Sequence, residues 1–302
     1  MVAQRAEQAE RLLAVLERVR RIEVKTRRLV QGLFVGQYRS AFKGRGLDFA
    51  EVREYDETDD VRLIDWNVTA RTGVLHVRQY EEERELTTLL ALDVSPSAAF
   101  GTVNQLKADL AVELAAIIAF CATTSNDRVG ALLFTDRIEL FVPPRKGRRH
   151  AFRLLRDVLN CQPQGRGTRL VAALEFLNDV LKRRAVVFLV SDFLDEGFEH
   201  ELRVANVRHD LIAVELSDPR EFALPDVGLV ELCAAEGRER RLVDTSDPRV
   251  REEFAQRAAE ERRRRLALLR SLGVEVLSLS TAEPLAPPLV RFFRERERRR
   301  AR

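Results

Sequence analysis

Four residue types that carry much of protein chemistry are scarce in this chain, which has 3 cysteines, 4 histidines, 1 methionine and 1 tryptophan. Cys121, Cys161 and Cys233 are odd in number, lie far apart and lack C-x-x-C spacing. That argues against a disulfide framework or a zinc ribbon, and the three read as reduced, buried thiols of a cytosolic protein. His76, His150, His200 and His209 are scattered, with no spacing that would activate a nucleophile or hold a metal. No stretch approaches the roughly 20 apolar residues that a membrane span needs, and the N-terminus has no apolar core of signal-peptide type. An excess of one charge is also missing: 51 basic residues face 48 acidic ones, for a net charge of +3. Bulk charge therefore gives no argument for nucleic acid. Gly44 and Gly46 form a lone G-x-G with no strand before it and no GK[ST] after it, which is not a phosphate-binding loop. The expectation is a soluble cytoplasmic protein.

What is present is a charge-dense surface around a sizeable core, with 33% of residues charged and 45% hydrophobic. In 302 residues this suits one large α/β unit with a smaller appendage. From Ala3 to about Phe34, apolar residues recur at three- and four-residue steps, predicting an amphipathic helix with a basic face. Gly36, Gly44 and Gly46 mark a loop, and residues 49–55 and 74–80 alternate as short strands. Between those strands, Asp59 to Arg71 interleaves both charges with the lone Trp66. Asp59, Asp60 and Asp65 can pair with Arg62 and Arg71 through carboxylate forks, while Asp60 and Asp65 stay open as metal or catalytic groups. Residues 1–85 are thus read as an N-terminal helix plus a small strand-containing module.

From Leu86 onward, strands and helices alternate. Buried strands are expected near 86–92, 128–135, 185–190, 211–216 and 274–279, with 138–142 returning antiparallel beside the second. Helices are expected over 105–122, 151–159, from Thr168 onward, and 247–272, with a further hairpin at 228–243. The pattern predicts an α/β fold, a doubly wound mostly parallel sheet spanning 86–282 with helices on both faces. Residues 283–302 are read as a charged C-terminal tail, in which a short apolar segment, Leu289, Val290, Phe292 and Phe293, leads into a frayed, arginine-rich helix end.

The candidate site lies where the first buried strand ends abruptly in Asp93-Val94-Ser95-Pro96-Ser97. Doubly wound folds bind ligands at the C-terminal ends of their strands. Asp93 offers an anionic oxygen and Ser95 and Ser97 neutral ones, a set suited to a hard divalent cation such as Mg²⁺, although the same residues are ordinary turn formers. Thr168 can serve either as a helix N-cap or as a further oxygen donor. A second buried strand ends in Ser191-Asp192. The loop Arg145-Lys146-Gly147-Arg148-Arg149 places basic residues before a helix, where the dipole does not favour them, and suits either a phosphate or plain solvent.

Asp93, Ser95 and Ser97 with Thr168 and Asp192 resemble the metal-ion-dependent adhesion site of von Willebrand factor type A domains. The resemblance implies that the serines and threonine ligate the cation, that the aspartates act through water, and that an acidic residue of a partner completes the shell. The segment from Gly46 to Tyr55, with Asp59 to Trp66 and Thr69 to Arg71, is similar to the signature of the domain of unknown function fifty-eight family, whose members place it before a von Willebrand A-like domain. Where that family has proline-glycine this chain has Glu57-Thr58, and where it has methionine after the last serine this chain has Ala98. Many members are encoded beside MoxR-type AAA+ ATPases. The resemblance implies a non-enzymatic adaptor that uses Mg²⁺, or Mn²⁺ or Ca²⁺, to bind a protein partner such as a MoxR-type AAA+ ATPase, in maturation or quality control of other proteins. Two other functions fit parts of the sequence. One is a metal-dependent phosphoester hydrolase with Asp93 or Asp192 as base and the Arg145–Arg149 loop as anion clamp. The other is a binder of nucleic acid or anionic surfaces through basic patches, weakened by few aromatic residues and balanced charge.

Overall fold

The computed structural model describes residues 17, 20–24, 34–43, 52–56, 59, 61, 64–78, 85–233 and 240–300. In chain order the elements are α1 (Val35–Lys43), β1 (Val52–Glu54), α2 (Trp66–Thr72), β2 (His76–Arg78), β3 (Thr87–Asp93), α3 (Lys107–Thr124), β4 (Arg128–Phe134), β5 (Ile138–Arg145) and α4 (Arg148–Asn160). They continue with α5 (Leu170–Val180), β6 (Val186–Ser191), α6 (Glu199–Arg208), β7 (Asp210–Ser217), β8 (Leu229–Cys233), β9 (Arg240–Asp244), α7 (Pro248–Ser271), β10 (Glu275–Ser280) and α8 (Ala286–Arg300).

Six strands form the main sheet in the order β10-β7-β6-β3-β4-β5, parallel except for the antiparallel β5. This is the doubly wound, mostly parallel architecture that the strand-helix alternation predicts. Successive residues of β3 face opposite layers, as the two-residue period of a strand requires. Leu90 and Leu92 pack with residues of α1, α3, α4 and α8, while Leu89 and Ala91 pack with residues of α5 and α6 and with Leu269 of α7. Both faces of the central strands are therefore dry, and their polar residues are concentrated at the strand ends.

The expected N-terminal helix falls almost entirely outside the described residues, of which 20–24 are helical. Gly36 is not in a loop: it lies inside α1, and Phe34 just before the helix with Tyr38 and Phe42 within it follows a four-residue step that one glycine does not break. Helix α6 is not among the expected elements; it packs Leu202 and Ala205 into the core. Of the cysteines expected to be buried, only Cys121 is, Cys161 being half-buried and Cys233 exposed on the hairpin strand β8. Asp65 caps α2, accepting from the backbone N–H groups of Asn67 at 2.9 Å and Val68 at 3.3 Å. Asp59 pairs with Arg53 at 2.5 Å, a partner other than the expected Arg62 or Arg71. Asp60 and Arg62 lie outside the described residues.

Residues 286–300 form more than a frayed helix end. Helix α8 buries Leu289, Phe293 and Arg296, a stripe interrupted in the sequence by the surrounding arginines. Its Pro287 and Pro288 sit in the first turn, where a missing N–H breaks no helical bond. The Phe293 ring meets the edges of Phe34, Tyr38 and Phe42. Arg296 ion-pairs with Asp210 and Glu275 at the N-terminal ends of β7 and β10, donates to the Ala41 carbonyl at 3.1 Å and lies over the Phe42 ring. One guanidinium thus joins α1, α8 and the N-terminal edge of the sheet. Arg296→Met should cost on the order of 3 kcal/mol, because it strands two carboxylates in a partly dry environment. Chemical denaturation should show the loss, with faster hydrogen exchange across 286–300; full protection of that helix in the variant would disprove the role.

Candidate cation and partner site

The chain runs from β3 to β4 on one side of the sheet, then returns past β3 to β6 and continues to β7 and β10. Its winding direction therefore reverses between β3 and β6, the switch point where open α/β sheets form their crevice. Asp93 ends β3 and Asp192 directly follows β6, so both reach this crevice. Thr168 belongs to the loop before α5. That loop is fixed to the same edge by two backbone bonds, Arg169 N–H to the Thr135 carbonyl at 3.0 Å and Leu170 N–H to Asp195 Oδ2 at 2.7 Å. Gly165 is needed there, since a Cβ would lie 2.0 Å from Thr135 Oγ1. Thr168 is not the N-cap: Arg169 holds that position, and the orphan N–H of Leu170 is satisfied by Asp195.

Asp93 is the centre of a dry hydrogen-bonded knot. Its Oδ1 accepts from the Ser95 N–H at 2.9 Å, and its Oδ2 accepts from the Ser191 hydroxyl at 2.7 Å. The hydroxyls of Ser95 and Ser97 lie 3.0 Å apart. All four side chains are buried. Burial pushes the Asp93 carboxyl up to about 6, and the nearby Asp192 charge adds to this, against the bonds from Ser95 and Ser191. Its folded value lies above that of the unfolded chain, so charging this group is a cost the fold itself imposes.

Asp192 is held differently. Its Oδ2 accepts from Lys107 Nζ at 2.9 Å and its Oδ1 from the Leu194 N–H at 3.3 Å. Lys107 stands in the first turn of α3, only 2% exposed, and also donates to Glu221 Oε1 at 2.7 Å. Burial opposes the Lys107 charge, but the two carboxylates outweigh it and hold its pKa above the usual lysine value. Glu221 in turn accepts from the Asp218 N–H at 2.9 Å. Asp218 accepts from Thr102 N–H, Thr102 Oγ1 and Thr281 Oγ1, which ties the loops after β3, β7 and β10 together. Directly after Asp192, buried Phe193 adopts a left-handed φ of 55°. Such a conformation is strained for a bulky residue and persists only where packing enforces it, as on a switch or ligand loop.

Ser191 stands out in the sequence only as the end of a buried strand beside Asp192, and Asp195 and Glu221 carry no local signal. Lys107 carries one, a charged residue on the inward face of α3, three residues before the buried Leu110. The basic loop from Arg145 to Arg149 is at the wrong end to clamp an anion here. Arg145 pairs with Val129 at the start of β4, whereas Asp93 pairs with Phe134 at its end. Five strand residues separate the two levels, roughly 17 Å. Arg148 instead pairs with Glu23, and Lys146 with Glu85.

Among the described residues, no group of three or more His, Cys, Asp or Glu side chains is arranged to hold a metal ion. A cation here would depend on hydroxyls beside one carboxylate, and that all-oxygen set suits a small hard cation. No helix among the described residues is long and apolar enough to cross a membrane.

The model of a family described as protein of unknown function DUF58 matches residues 51–264. An uncharacterised protein of Mycobacterium tuberculosis H37Rv is 37% identical over 283 residues, covering 93% of this chain and 89% of that protein. A protein of Mycobacterium bovis matches equally well. Among solved structures, the conserved hypothetical protein BatB from Bacteroides thetaiotaomicron is similar with a TM-score of 0.44 at 12% identity, over 70% of this chain and 99% of that one. The VWA domain of SpRpn10 is similar with a TM-score of 0.36 at 10% identity, over 68% of this chain and 94% of that one.

The Asp93 geometry makes a stability prediction for the metal-free protein. Between about pH 4 and pH 6 the folded state binds more protons than the unfolded one, so stability falls as pH rises through that window and is level above it. With chelator present, Asp93→Asn should change stability little at pH 4 and raise it by up to about 2–3 kcal/mol at pH 8. Denaturant unfolding at the two pH values checks this, and an equal effect at both would refute it.

Proposed function

The chain belongs to the DUF58 family, and from that premise we propose that it is a non-enzymatic interaction module that captures a protein partner through a divalent cation. Asp93, Ser95, Ser97, Thr168 and Asp192 would hold Mg²⁺, with Mn²⁺ and Ca²⁺ as oxygen-seeking alternatives. The observation that carries this reading is the Asp93 knot: a buried carboxylate beside two buried hydroxyls at the switch point, with its charge disfavoured by the fold. A cation supplies the positive charge that burial withholds, and its remaining coordination positions suit a carboxylate.

The chain's own residues do the positioning. The Ser95 N–H and the Ser191 hydroxyl orient the two oxygens of Asp93, and carboxylate oxygens have lone pairs to spare for a further ligand. Lys107 fixes Asp192. A hydrolase reading is less well supported, because Asp192 is committed to an ammonium and the Arg145–Arg149 loop sits at the opposite edge. The partner we propose is a MoxR-type AAA+ ATPase in the cytoplasm, acting in maturation or quality control of other proteins, and it would present an aspartate or glutamate to the cation.

Binding of the purified chain to the MoxR-type ATPase from the same genome tests this. Such an ATPase itself takes Mg²⁺-nucleotide, so the informative comparison is Asp93→Ala against wild type at constant Mg²⁺. We expect affinity to fall by about tenfold or more, equivalent to 1.4 kcal/mol. Equal binding by the two proteins would rule out the site.

A further inference from the structure

The strongest unassigned feature is the ammonium built into the wall of the site. Resting on the cation reading above, we infer that Lys107 acts as a resident counter-charge that keeps the site's intrinsic affinity for a divalent ion low, so that the ion and the partner's carboxylate bind as a linked pair.

Three observations support this. First, Lys107 cannot withdraw as a surface lysine would. It is buried in the first turn of α3, a helix whose residues from Leu114 to Ala122 are all buried, and leaving its partners would strand a dry charge. Second, it donates to Oδ2 of Asp192 at 2.9 Å while Oδ1 accepts the long bond from the Leu194 N–H, so both oxygens of that carboxylate already carry a bond. Third, Lys107 sets a positive charge against the donors. Asp93 and Asp192 are the two charged members of the five proposed donors, and the ammonium that bonds Asp192 also bonds Glu221. A divalent ion entering the site would meet that ammonium's repulsion as well as the two carboxylates' attraction. An incoming carboxylate adds negative charge to the same shell and favours the ion.

The coupling is reciprocal by thermodynamic necessity: whatever the carboxylate adds to ion affinity, the ion adds to carboxylate affinity. Without Lys107 the ion would bind alone and the linkage would weaken. Lys107 is thus a positioning and affinity-setting residue that itself ligates nothing.

The test is Mn²⁺ binding to the full chain, followed by electron paramagnetic resonance without partner, in wild type, Lys107→Gln, Lys107→Met and Asp93→Ala. Gln keeps a donor toward Asp192 while removing the charge, and Met keeps the length. Removing a positive charge within a few ångströms of a divalent ion should tighten binding by about tenfold or more. Folded Lys107 variants that bind Mn²⁺ no more tightly than wild type would overturn the inference. Asp93→Ala separates the two readings. If it binds like wild type, the cation site itself is wrong; if it loses binding while the Lys107 variants are unchanged, only the role of Lys107 fails. Should both Lys107 variants fail to fold, the wild-type protein still decides. The ¹⁵N signal of the Lys107 ammonium should shift during Mg²⁺ titration with the same midpoint as the Ser95 amide, and an unmoved signal would overturn the inference.

Discussion

The parallel pairing of β3 with β6, sealed between two helical layers, is the constraint from which the rest of this structure follows. Leu89 to Leu92 face dry layers on both sides, so neither strand can carry a polar side chain along its middle. Polar residues are therefore pushed to the ends. Because the chain reverses its winding direction between these two strands, their ends do not diverge into separate loops but face each other across a crevice. Asp93 and Ser191 meet there at 2.7 Å, and the site results from the same burial that stabilises the sheet.

Two other buried carboxylates show how so charge-dense a chain tolerates charge inside. Glu215, near the end of β7, takes a two-pronged bond from Arg262 of α7 at 2.9 and 2.8 Å, and those bonds outweigh burial to keep its pKa below the usual range. Asp218 is likewise held low, burial being outweighed by the hydroxyls of Thr102 and Thr281. Asp93 differs from both, since its hydrogen bonds do not offset its desolvation. The proposed cation would lie against this carboxylate, in the kind of crevice where perturbed groups gather.

Much of the fold was legible because strand and helix periods differ, and strands as apolar as β3 and β6 admit few other readings. The Asp93-x-Ser-x-Ser turn was legible for the same reason, since it breaks a run of apolar residues. What was not legible arises from contacts between distant segments. Thr168 looks like an N-cap in sequence, yet the acceptor is Asp195, 25 positions along the chain from the N–H it satisfies. Glu221 and Lys107 are separated by 114 positions, and nothing local marks either as a partner of the other. Helix α8 was hidden in another way: its stripe of Leu289, Phe293 and Arg296 is diluted by arginines that stay in solvent, and Arg296 is itself one of the residues that anchor it.

The two edges of the sheet carry the same motif with different cations, and the difference accounts for their different uses. At the N-terminal edge, Arg296 lies between Asp210 and Glu275; at the C-terminal edge, Lys107 lies between Asp192 and Glu221. A guanidinium is planar, permanently charged and able to grip a carboxylate with two parallel bonds, so it saturates its partners. Arg296 bonds to both oxygens of Asp210, stacks on Phe42 and closes that edge against α1 and α8. A lysine ammonium is a compact point charge that contacts one oxygen of each carboxylate. Asp192 spends its second oxygen only on the long bond from the Leu194 N–H at 3.3 Å, and Glu221 spends its second oxygen on the Asp218 turn. Replacing Lys107 by arginine would therefore not be conservative even if the fold tolerated it, because a fork on Asp192 would take the oxygen that a cation needs. One edge is closed by its guanidinium against two helices; at the other, the ammonium bonds one oxygen of each carboxylate, which is the arrangement the proposed cation site would draw on.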